Sequence, residues 1–345
     1  MDTLRVASWN VNGLRSYIVD DLASGKFRTK TEIQTESNLG HLLQLYNPNV
    51  ICFQETRCGL DNMAKFQIPD WKVYSSSSQG SGGRSGNRYS GVSIWVHTSL
   101  VQHLGEPVKV LDILPTLSEP HQAGDLEGRF LALIYENVTI INTYVPNSGT
   151  NFTYRTERWD PAMLAFLDGE QGTERMTVWV GDLNVARTPY DVHFGDVSHT
   201  PKGLKLLNKN LDLAVQQEQM EQLRQELHSS PAMQGIGERV PAGFTRQERD
   251  GIQSILQSGY SDCWRCQHSI TSGVYDGFTW WNLRIPVYRP NNRGWRIDYV
   301  IVDNKHIDNL VDCRVLREVG TKTHNRDTPK KYGSDHAPIC ATFNL

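Results

Sequence analysis

Short apolar runs alternate along this chain with polar turns and with stretches of helical periodicity. Residues 4–9 and 50–53 have the length and apolar character expected of buried strands. Between them, apolar side chains recur at helical spacing over residues 37–46, and Asn47 and Pro48 would end that helix. The order strand, helix, strand predicts an α/β architecture.

Five further apolar stretches are predicted as strands. They cover residues 91–96, 130–135, 138–145, 298–302 and 337–343. Because only Glu136 and Asn137 separate the second stretch from the third, we expect a tight hairpin there.

Three further helices are predicted after residue 159. Asp160 and Pro161 can cap and open the first of them. Residues 203–228 also have a helical pattern, whose single apolar stripe and polar remainder favour a solvated insertion without a catalytic role. Thr245 and Glu248 are spaced as a capping box, which predicts that a helix begins there.

The apolar run 176–180 leads directly into Gly181-Asp182-Leu183-Asn184. Open α/β sheets bind their ligands beyond the ends of strands, so Asp182 is a candidate catalytic carboxylate. The same four residues could instead form only a turn, with Asn184 capping the chain that follows. This motif by itself leaves both interpretations open.

Composition indicates a globular chain without a bulk attraction to any partner. The 345 residues are 38% hydrophobic and 21% charged, which is enough to bury a large core. Because the net charge is -3, nucleic acid would have to be attracted by a local basic surface. No proline- or glycine-rich linker divides the chain, which favours a single domain over residues 1–345.

The first residues carry neither a basic leader nor a long apolar segment. We therefore expect an intracellular protein without a membrane anchor, located in the nucleus of a eukaryote or in the cytoplasm of a prokaryote. The six cysteines fit reduced thiols. A zinc site or a redox pair at Cys263 and Cys266 is disfavoured because no second pair stands at a suitable spacing.

Polar side chains recur where the strands are predicted to end. They are Asn10, Glu55, Tyr144, Asn147, Asp182, Asn184, Asp298, Asp335 and His336. A set of carboxylate and amide oxygens with little sulfur or imidazole suits Mg²⁺ or Mn²⁺. The chain has no phosphate-binding glycine loop and no G-x-S-x-G elbow. The pattern therefore predicts metal-assisted hydrolysis of a phosphate ester.

Two segments are candidates for contact with a nucleic acid. One interleaves aromatic and basic residues, among them Phe278, Trp280, Arg284 and Trp295. A core segment followed by a solvated loop would explain the same pattern. The other is the serine- and glycine-rich stretch 75–90, whose arginines Arg84 and Arg88 could follow a phosphate backbone, although a solvated loop is the commoner structure.

Several of these motifs resemble one family. Gly181-Asp182-Leu183-Asn184 and Ser334-Asp335-His336-Ala337-Pro338 resemble signatures of the endonuclease/exonuclease/phosphatase superfamily. Residues 9–15, 54–57, 144–149, 242–245 and 295–299 are similar to motifs of its exonuclease III type of apurinic/apyrimidinic endonuclease. The resemblance extends in order over nearly the whole chain. It implies a four-layered α/β sandwich, in which two mixed β-sheets pack face to face between outer helices.

The resemblance also implies roles for individual residues. Asn10 and Glu55 would hold the Mg²⁺ or Mn²⁺ ion with Asp335 beside them, and Asp182 would activate the water. Contacts to the scissile phosphate would come from Tyr144, Asn147, Asn184 and His336, with Asp298 supporting His336. Trp280 and Trp295 would form the wall of a sugar pocket. Apart from the resemblance, Phe278 in the aromatic and basic segment and the cations Arg155 and Arg284 are expected to contribute to DNA binding.

The activity implied is cleavage of duplex DNA 5′ to an abasic site to leave a 3′-hydroxyl, by a monomer. Exonuclease activity from the 3′ end and repair of 3′-blocked ends are further expectations. Two alternatives stand beside it: a phosphatase or phospholipase of the same superfamily, and a catalytically silent DNA-binding or scaffold protein. The silent protein predicts a broken site, whereas every expected ligand is present.

The chain departs from the family pattern at several places. Arg57 stands where a lysine is common, and Thr150 stands where some relatives carry an arginine that reaches into the DNA. The stretches near 15–38, 75–90 and 203–240 are predicted to be insertions.

Overall fold

Two mixed six-stranded β-sheets pack face to face at the centre of the protein, as shown by a computed structural model. The structure describes residues 3–14, 19–21, 26–27, 38–59, 70–78, 89–117, 119, 122–149, 152–209, 211–237, 240–268, 277–319, 321–322, 331–332 and 334–345. Arg84, Arg88 and Thr150 lie outside these ranges, as does much of the predicted insertions at 15–38 and 75–90.

The strands of the described chain are β1 (Thr3–Asn10), β2 (Val19–Asp21), β3 (Lys26–Phe27), β4 (Val50–Gln54), β5 (Trp71–Ser76), β6 (Val92–His97), β7 (Lys109–Leu111), β8 (Phe130–Ile134), β9 (Val138–Tyr144), β10 (Met176–Asp182), β11 (Tyr260–Asp262), β12 (Asp298–Asp303), β13 (Leu310–Val315), β14 (Thr321–Lys322), β15 (Lys331–Tyr332) and β16 (Ile339–Asn344). The first sheet has the order β13-β16-β1-β4-β6-β5 and the second β11-β12-β10-β9-β8-β7. Two short pairs, β2 with β3 and β14 with β15, lie outside the large sheets.

The α-helices of the described chain are α1 (Asn38–Tyr46), α2 (Thr98–Leu104), α3 (Asp160–Gln171), α4 (Pro201–Leu207), α5 (Leu213–His228), α6 (Arg246–Gln257) and α7 (Cys263–Gln267). Among them, none combines the length and the apolar character needed to cross a bilayer.

Successive side chains of each strand point to opposite faces of its sheet, and each face packs against a different layer. On β10, Val178 and Val180 point to the core between the sheets, while Trp179 packs against α3 and α6 on the other side. In the first sheet, Ile51 of β4 likewise packs against α1 on the outer face. Because each sheet is apolar on both faces, each is covered on both sides. The prediction of a four-layered α/β sandwich is confirmed.

Most predicted elements are present with small shifts of their ends, including the hairpin at Glu136 and Asn137. The capping box is also present: Thr245 and Glu248 cap α6 reciprocally, and the buried Glu248 carboxylate additionally accepts from the Gly243 N–H at 2.8 Å. Local sequence determines these features, so they are predictable.

The helix predicted to open at Asp160 and Pro161 is present as α3, but Asp160 does not cap it. Helical backbone begins at residue 152, and Tyr154–Trp159 forms a π-helical turn that continues directly into α3. Asp160 has helical φ and ψ angles of -61° and -44°, so it cannot serve as an N-cap. Its carboxylate instead accepts from the Arg155 side chain at 3.5 Å.

The predicted helix over 203–228 is two helices. The first, α4, ends at Leu207, and Asp212 caps α5 by accepting from the Ala214 N–H at 2.9 Å. Asp side chains compete with helical hydrogen bonding and favour caps, which accounts for the break. No residue of α5 is buried, in keeping with the solvated helix expected there.

Candidate active site

Strand ends from both sheets meet at one edge of the sandwich. Asp182 ends β10, where the sheet register places it between Tyr144 of β9 and Asp298 of β12. Asn10 ends β1 of the other sheet beside Gln54, the residue before Glu55. Two sheets packed face to face therefore bring residues far apart in sequence to a single site.

Gly181 allows β9 and β10 to approach closely just before the site. A Cβ atom at this position would lie 2.0 Å from the Thr143 carbonyl oxygen, and the backbone φ of 148° also favours glycine. Close packing of the two strands therefore requires glycine directly before Asp182.

Asn10 links two carboxylates across the sheets. Its Nδ2 donates to Glu55 Oε1 at 3.0 Å and to Asp182 Oδ2 at 2.9 Å, while its Oδ1 accepts from the Asn12 N–H. The amide thus presents its nitrogen to both carboxylates. Coordination of a cation through the oxygen of Asn10 would require the amide to turn over.

Glu55 lies in a strained backbone conformation at the cavity wall. Its φ is 50°, in the left-handed region that non-glycine residues rarely adopt at a cost of about 1–3 kcal/mol. Burial alone would raise the pKa of its carboxyl group, but hydrogen bonds from Asn10 and Arg57 outweigh burial and lower it. Glu55 is therefore an anion at neutral pH.

Asp182 is buried beside other ionisable groups. Burial, followed by the negative charge of Asp298, raises the pKa of Asp182 to about 7, against the opposing effect of His336. Its Oδ1 accepts from the Asn184 N–H at 2.9 Å. A carboxyl group with a pKa near neutrality is suited to accept a proton during a reaction.

His336 is held by Asp298 from behind. Its Nδ1 lies 2.8 Å from Asp298 Oδ2, and its Nε2 is directed toward Asp182 Oδ2 at 3.8 Å. Burial alone would lower the pKa of the imidazole, but the charge of Asp298 and the hydrogen bond to it raise it to about 10. His336 is therefore a cation at neutral pH, and Asp298 fixes its orientation.

Asn184 and Asn147 extend the polar wall beyond Asp182. Asn184 has a φ of 48°, and its amide donates to the Val145 carbonyl at 2.8 Å. Asn147 is exposed, and its Nδ2 lies 3.3 Å from Asn184 Oδ1. Glu55 and Asn184 thus share a strained backbone conformation, which often accompanies functional sites.

Tyr144 ends β9 and pairs with Asp182 of the neighbouring strand β10. Burial, followed by the negative charges of Glu55 and Asp182, raises the pKa of its hydroxyl well above the ordinary value. The hydroxyl therefore stays protonated and can donate a hydrogen bond to an anion.

A cavity of about 340 Å³ opens over these groups. Its walls are Glu55, Tyr144, Asn147, Asp182, Asn184, Pro241, Ala242, Gly243, Trp280, Trp295, Ile297, Asp335 and His336. The two tryptophan rings meet edge to face with centroids 6.0 Å apart, and Trp280 Nε1 donates to Asp335 Oδ2 at 3.0 Å. The lining of the cavity thus combines an aromatic pair with polar and charged groups.

Three residues predicted to bind the substrate lie elsewhere. Arg155 is buried, and its guanidinium group donates to the backbone carbonyls of Leu183 and Asn184, both at 2.9 Å. Phe278 is buried against Trp281. Arg284 is exposed outside the cavity wall. Arg155 therefore anchors the loop that follows Asp182 instead of facing the cavity.

The donor set at the cavity fits a hard divalent cation. Burial alone would raise the pKa of Asp335, but the neighbouring His336 and the hydrogen bond from Trp280 lower it, so Asp335 and Glu55 both offer ionised carboxylates. Asp182, Asp298 and His336 also bring ligand atoms within 4.8 Å of one another. Because a protonated imidazole cannot coordinate a metal, the more favourable position for a cation is at Glu55 and Asp335.

The sequence interpretation missed Arg129. It lies buried beside Tyr144, with its guanidinium carbon 4.6 Å from the centroid of the phenol ring. The predicted hairpin could have located it. Arg129 directly precedes β8, and β8 pairs with β9, which ends at Tyr144.

Known proteins are similar to this chain over nearly its whole length. Residues 7–336 match the profile of the Endonuclease/Exonuclease/phosphatase family. The DNA-(apurinic or apyrimidinic site) endonuclease of Dictyostelium discoideum is 25% identical over 99% of this chain and 71% of that relative. The exodeoxyribonuclease of Bacillus subtilis (strain 168) is 26% identical over 99% of this chain and 100% of that relative.

A solved structure shares the fold. The AP endonuclease LMAP from Leishmania major aligns with a TM-score of 0.65 at 23% identity, over 99% of this chain and 88% of that chain. The family resemblance predicted from the motifs is confirmed by these comparisons.

Proposed function

The chain belongs to the Endonuclease/Exonuclease/phosphatase family, and on that premise we propose that it is a divalent-metal-dependent DNA repair nuclease. Its substrate is duplex DNA with an abasic site, which it cuts 5′ to the lesion to leave a 3′-hydroxyl. The observation that carries the proposal is the cavity in which Asp182, Asn184, Tyr144 and His336 surround a space walled by Trp280 and Trp295.

The polar wall is suited to hydrolysis of a phosphodiester. Asp182 accepts the proton of the attacking water, which its raised pKa favours near neutral pH. The cationic His336 and the protonated Tyr144 hydroxyl face the negative charge that grows on the phosphate. Asn184 contributes an amide on the same side, and Asp298 keeps His336 charged and oriented.

Mg²⁺, or Mn²⁺ in its place, is the cation that fits the oxygen donors of this site. Glu55 and Asp335 would hold it, with Asn10 joining them if its amide turns over. When bound, such an ion polarises a phosphoryl oxygen and stabilises the leaving oxyanion.

The aromatic wall supports selection of a nucleotide that lacks its base. A nucleotide swung out of the duplex must enter the cavity of about 340 Å³ that Trp280 and Trp295 help to line. A sugar without a base can fill this space against the two rings, whereas an intact nucleotide adds a bulky ring that the tryptophans obstruct. The Bacillus subtilis relative is an exodeoxyribonuclease, which additionally supports exonuclease activity on DNA.

A gel assay of defined duplexes tests the proposal. Purified protein is incubated with one abasic, one nicked, one 3′-blocked and one undamaged duplex, with Mg²⁺ or with a chelator. We expect Mg²⁺-dependent incision of the abasic duplex and no such incision by Glu55→Gln. Equal products from wild-type protein and Glu55→Gln would contradict the proposal, and turnover of inositol phosphates without cleavage of DNA would indicate a phosphatase instead.

A further inference from the structure

Arg129 and Tyr144 face each other at the active-site end of one hairpin. The register of β8 and β9 pairs Phe130 with Thr143, and the Tyr144 N–H donates to the Arg129 carbonyl at 2.9 Å. Arg129 is only 5% exposed. A buried guanidinium group therefore lies directly behind a residue of the cavity wall.

Arg129 contacts groups on three sides. Its Nε donates to Glu127 Oε2 at 2.6 Å, its Nη1 to the Tyr144 carbonyl at 3.3 Å and its Nη2 to the Tyr89 hydroxyl at 2.9 Å. The guanidinium carbon also lies 4.6 Å from the centroid of the Tyr144 ring, within the range of a cation–π contact. The side chain thus has a fixed position, and it holds the Tyr144 ring on one face.

The turn before Arg129 is specific to glycine. Gly128 has a φ of 64°, and a Cβ atom there would lie 2.4 Å from the backbone carbon of Ser77. The positive φ and the close approach to Ser77 therefore require glycine at the position before Arg129. The backbone conformation of this turn therefore helps to determine where the Arg129 guanidinium group lies.

We propose that Arg129 is a positioning residue for the reaction proposed above: it holds the Tyr144 ring so that its hydroxyl faces the cavity beside Glu55. The inference rests on the proposed function only for what Tyr144 does there. Arg129 does not line the cavity, so its effect on the reaction passes through Tyr144.

The side chain of Glu127 is 30% exposed, so removal of Arg129 leaves a carboxylate that water can solvate. We therefore expect loss of the Arg129 guanidinium group to change the position of the Tyr144 ring more than the stability of the fold.

A double-mutant cycle separates positioning from simple stabilisation. We expect Arg129→Met to lower kcat on abasic duplex about 10-fold, with little change in KM, because a cation–π contact is lost behind a group that acts in the transition state. Tyr144→Phe removes the hydroxyl that Arg129 positions, so adding Arg129→Met to it is expected to lower kcat no further. Multiplicative losses in the double variant would overturn the proposal.

Arg175→Met is the matched control. Arg175 pairs with Glu170 at 3.2 Å and precedes β10, at the opposite end of the same sheet from the site. We expect this variant to keep the wild-type kcat, and a loss as large as that of Arg129→Met would overturn the proposal.

A measurement without substrate keeps the inference separate from the proposed function. With 3-fluorotyrosine at position 144, we expect the ¹⁹F resonance to shift and broaden in Arg129→Met and to stay unchanged in Arg175→Met. An unchanged resonance in Arg129→Met would overturn the positioning role whatever the enzyme cleaves. If the resonance shifts but wild-type protein cleaves no DNA, the proposed function fails while the contact between Arg129 and Tyr144 stands.

Discussion

The Asn10 amide donates to the Asp182 carboxylate at 2.9 Å and so joins the ends of two strands that belong to different sheets. The same amide nitrogen reaches Glu55 at 3.0 Å. The proposed base is thus tied to the proposed cation ligand by one side chain. Small changes at either carboxylate are therefore expected to affect the other.

Asp182→Asn is expected to lower kcat on abasic duplex by about 10³–10⁴-fold, because an amide cannot accept the proton of water. Affinity for the duplex is expected to change little, since the shape of the side chain is kept. Single-turnover kinetics and a binding titration measure the two quantities separately. A loss of affinity as large as the loss of kcat would argue against a role as base.

Asp303→Asn serves as the control for that variant. Asp303 is also a buried carboxylate of the second sheet, and its Oδ2 accepts from the Thr177 N–H at 2.6 Å at the end of the sheet away from the site. We expect this variant to lose stability but to keep its kcat.

His336 gives the metal-free protein a stability that depends on pH. Its pKa is about 10 in the folded protein and about 6.5 in the unfolded chain. Because the folded value is the higher one, the contribution of His336 is fully present below pH 6.5 and is lost as the pH rises through 10.

Urea unfolding between about pH 8.5 and 10.5 measures this contribution above the range in which Asp182, with a pKa of about 7, titrates. The free energy of unfolding of wild-type protein is expected to fall toward that of His336→Gln as the pH rises. Asp298→Asn is expected to lower the pKa of His336, which an NMR titration would show. A pKa near 6.5 for His336 in wild-type protein would contradict the interpretation.

Glu55→Gln is expected to abolish stabilisation by Mg²⁺. An ion present at about 100 times its Kd stabilises a folded protein by about 2.7 kcal/mol, which raises Tm. We expect this rise in wild-type protein and in Glu106→Gln, whose side chain is exposed and pairs with Lys72. Mg²⁺-induced stabilisation that persists in Glu55→Gln would place the ion elsewhere.

Arg155→Met and Arg284→Met are expected to have different consequences. The first leaves the carbonyls of Leu183 and Asn184 without their donor, beside the buried Glu248, so it is expected to lower stability by about 3–5 kcal/mol. The second removes an exposed cation, so it is expected to leave Tm unchanged.

Salt dependence of DNA binding completes this comparison. If Arg284 neutralises one phosphate, its loss reduces the slope of log affinity against log salt by about 1. Arg155→Met, measured where it remains folded, is expected to keep the wild-type slope. A reduced slope in Arg155→Met would restore its role as a direct DNA contact.

The sequence by itself determined the interior strands of both large sheets and most of the cavity wall. Strand periodicity, the capping box at Thr245 and the polar residues after each strand depend on neighbours a few positions away, so they can be inferred without coordinates. The same local signals located Asp182 and His336, because strand ends are where open sheets bind ligands.

Only the tertiary structure decided which long side chains donate hydrogen bonds to loop carbonyls and which face the cavity. Arg155 was expected at the DNA, yet its guanidinium group reaches carbonyls 28 and 29 residues further along the chain. Arg129 gave no motif of its own, and its proposed role depends on the pairing of two strands. A charged residue has the same local pattern whether it is exposed or buried, and only the partners brought to it by folding distinguish the two.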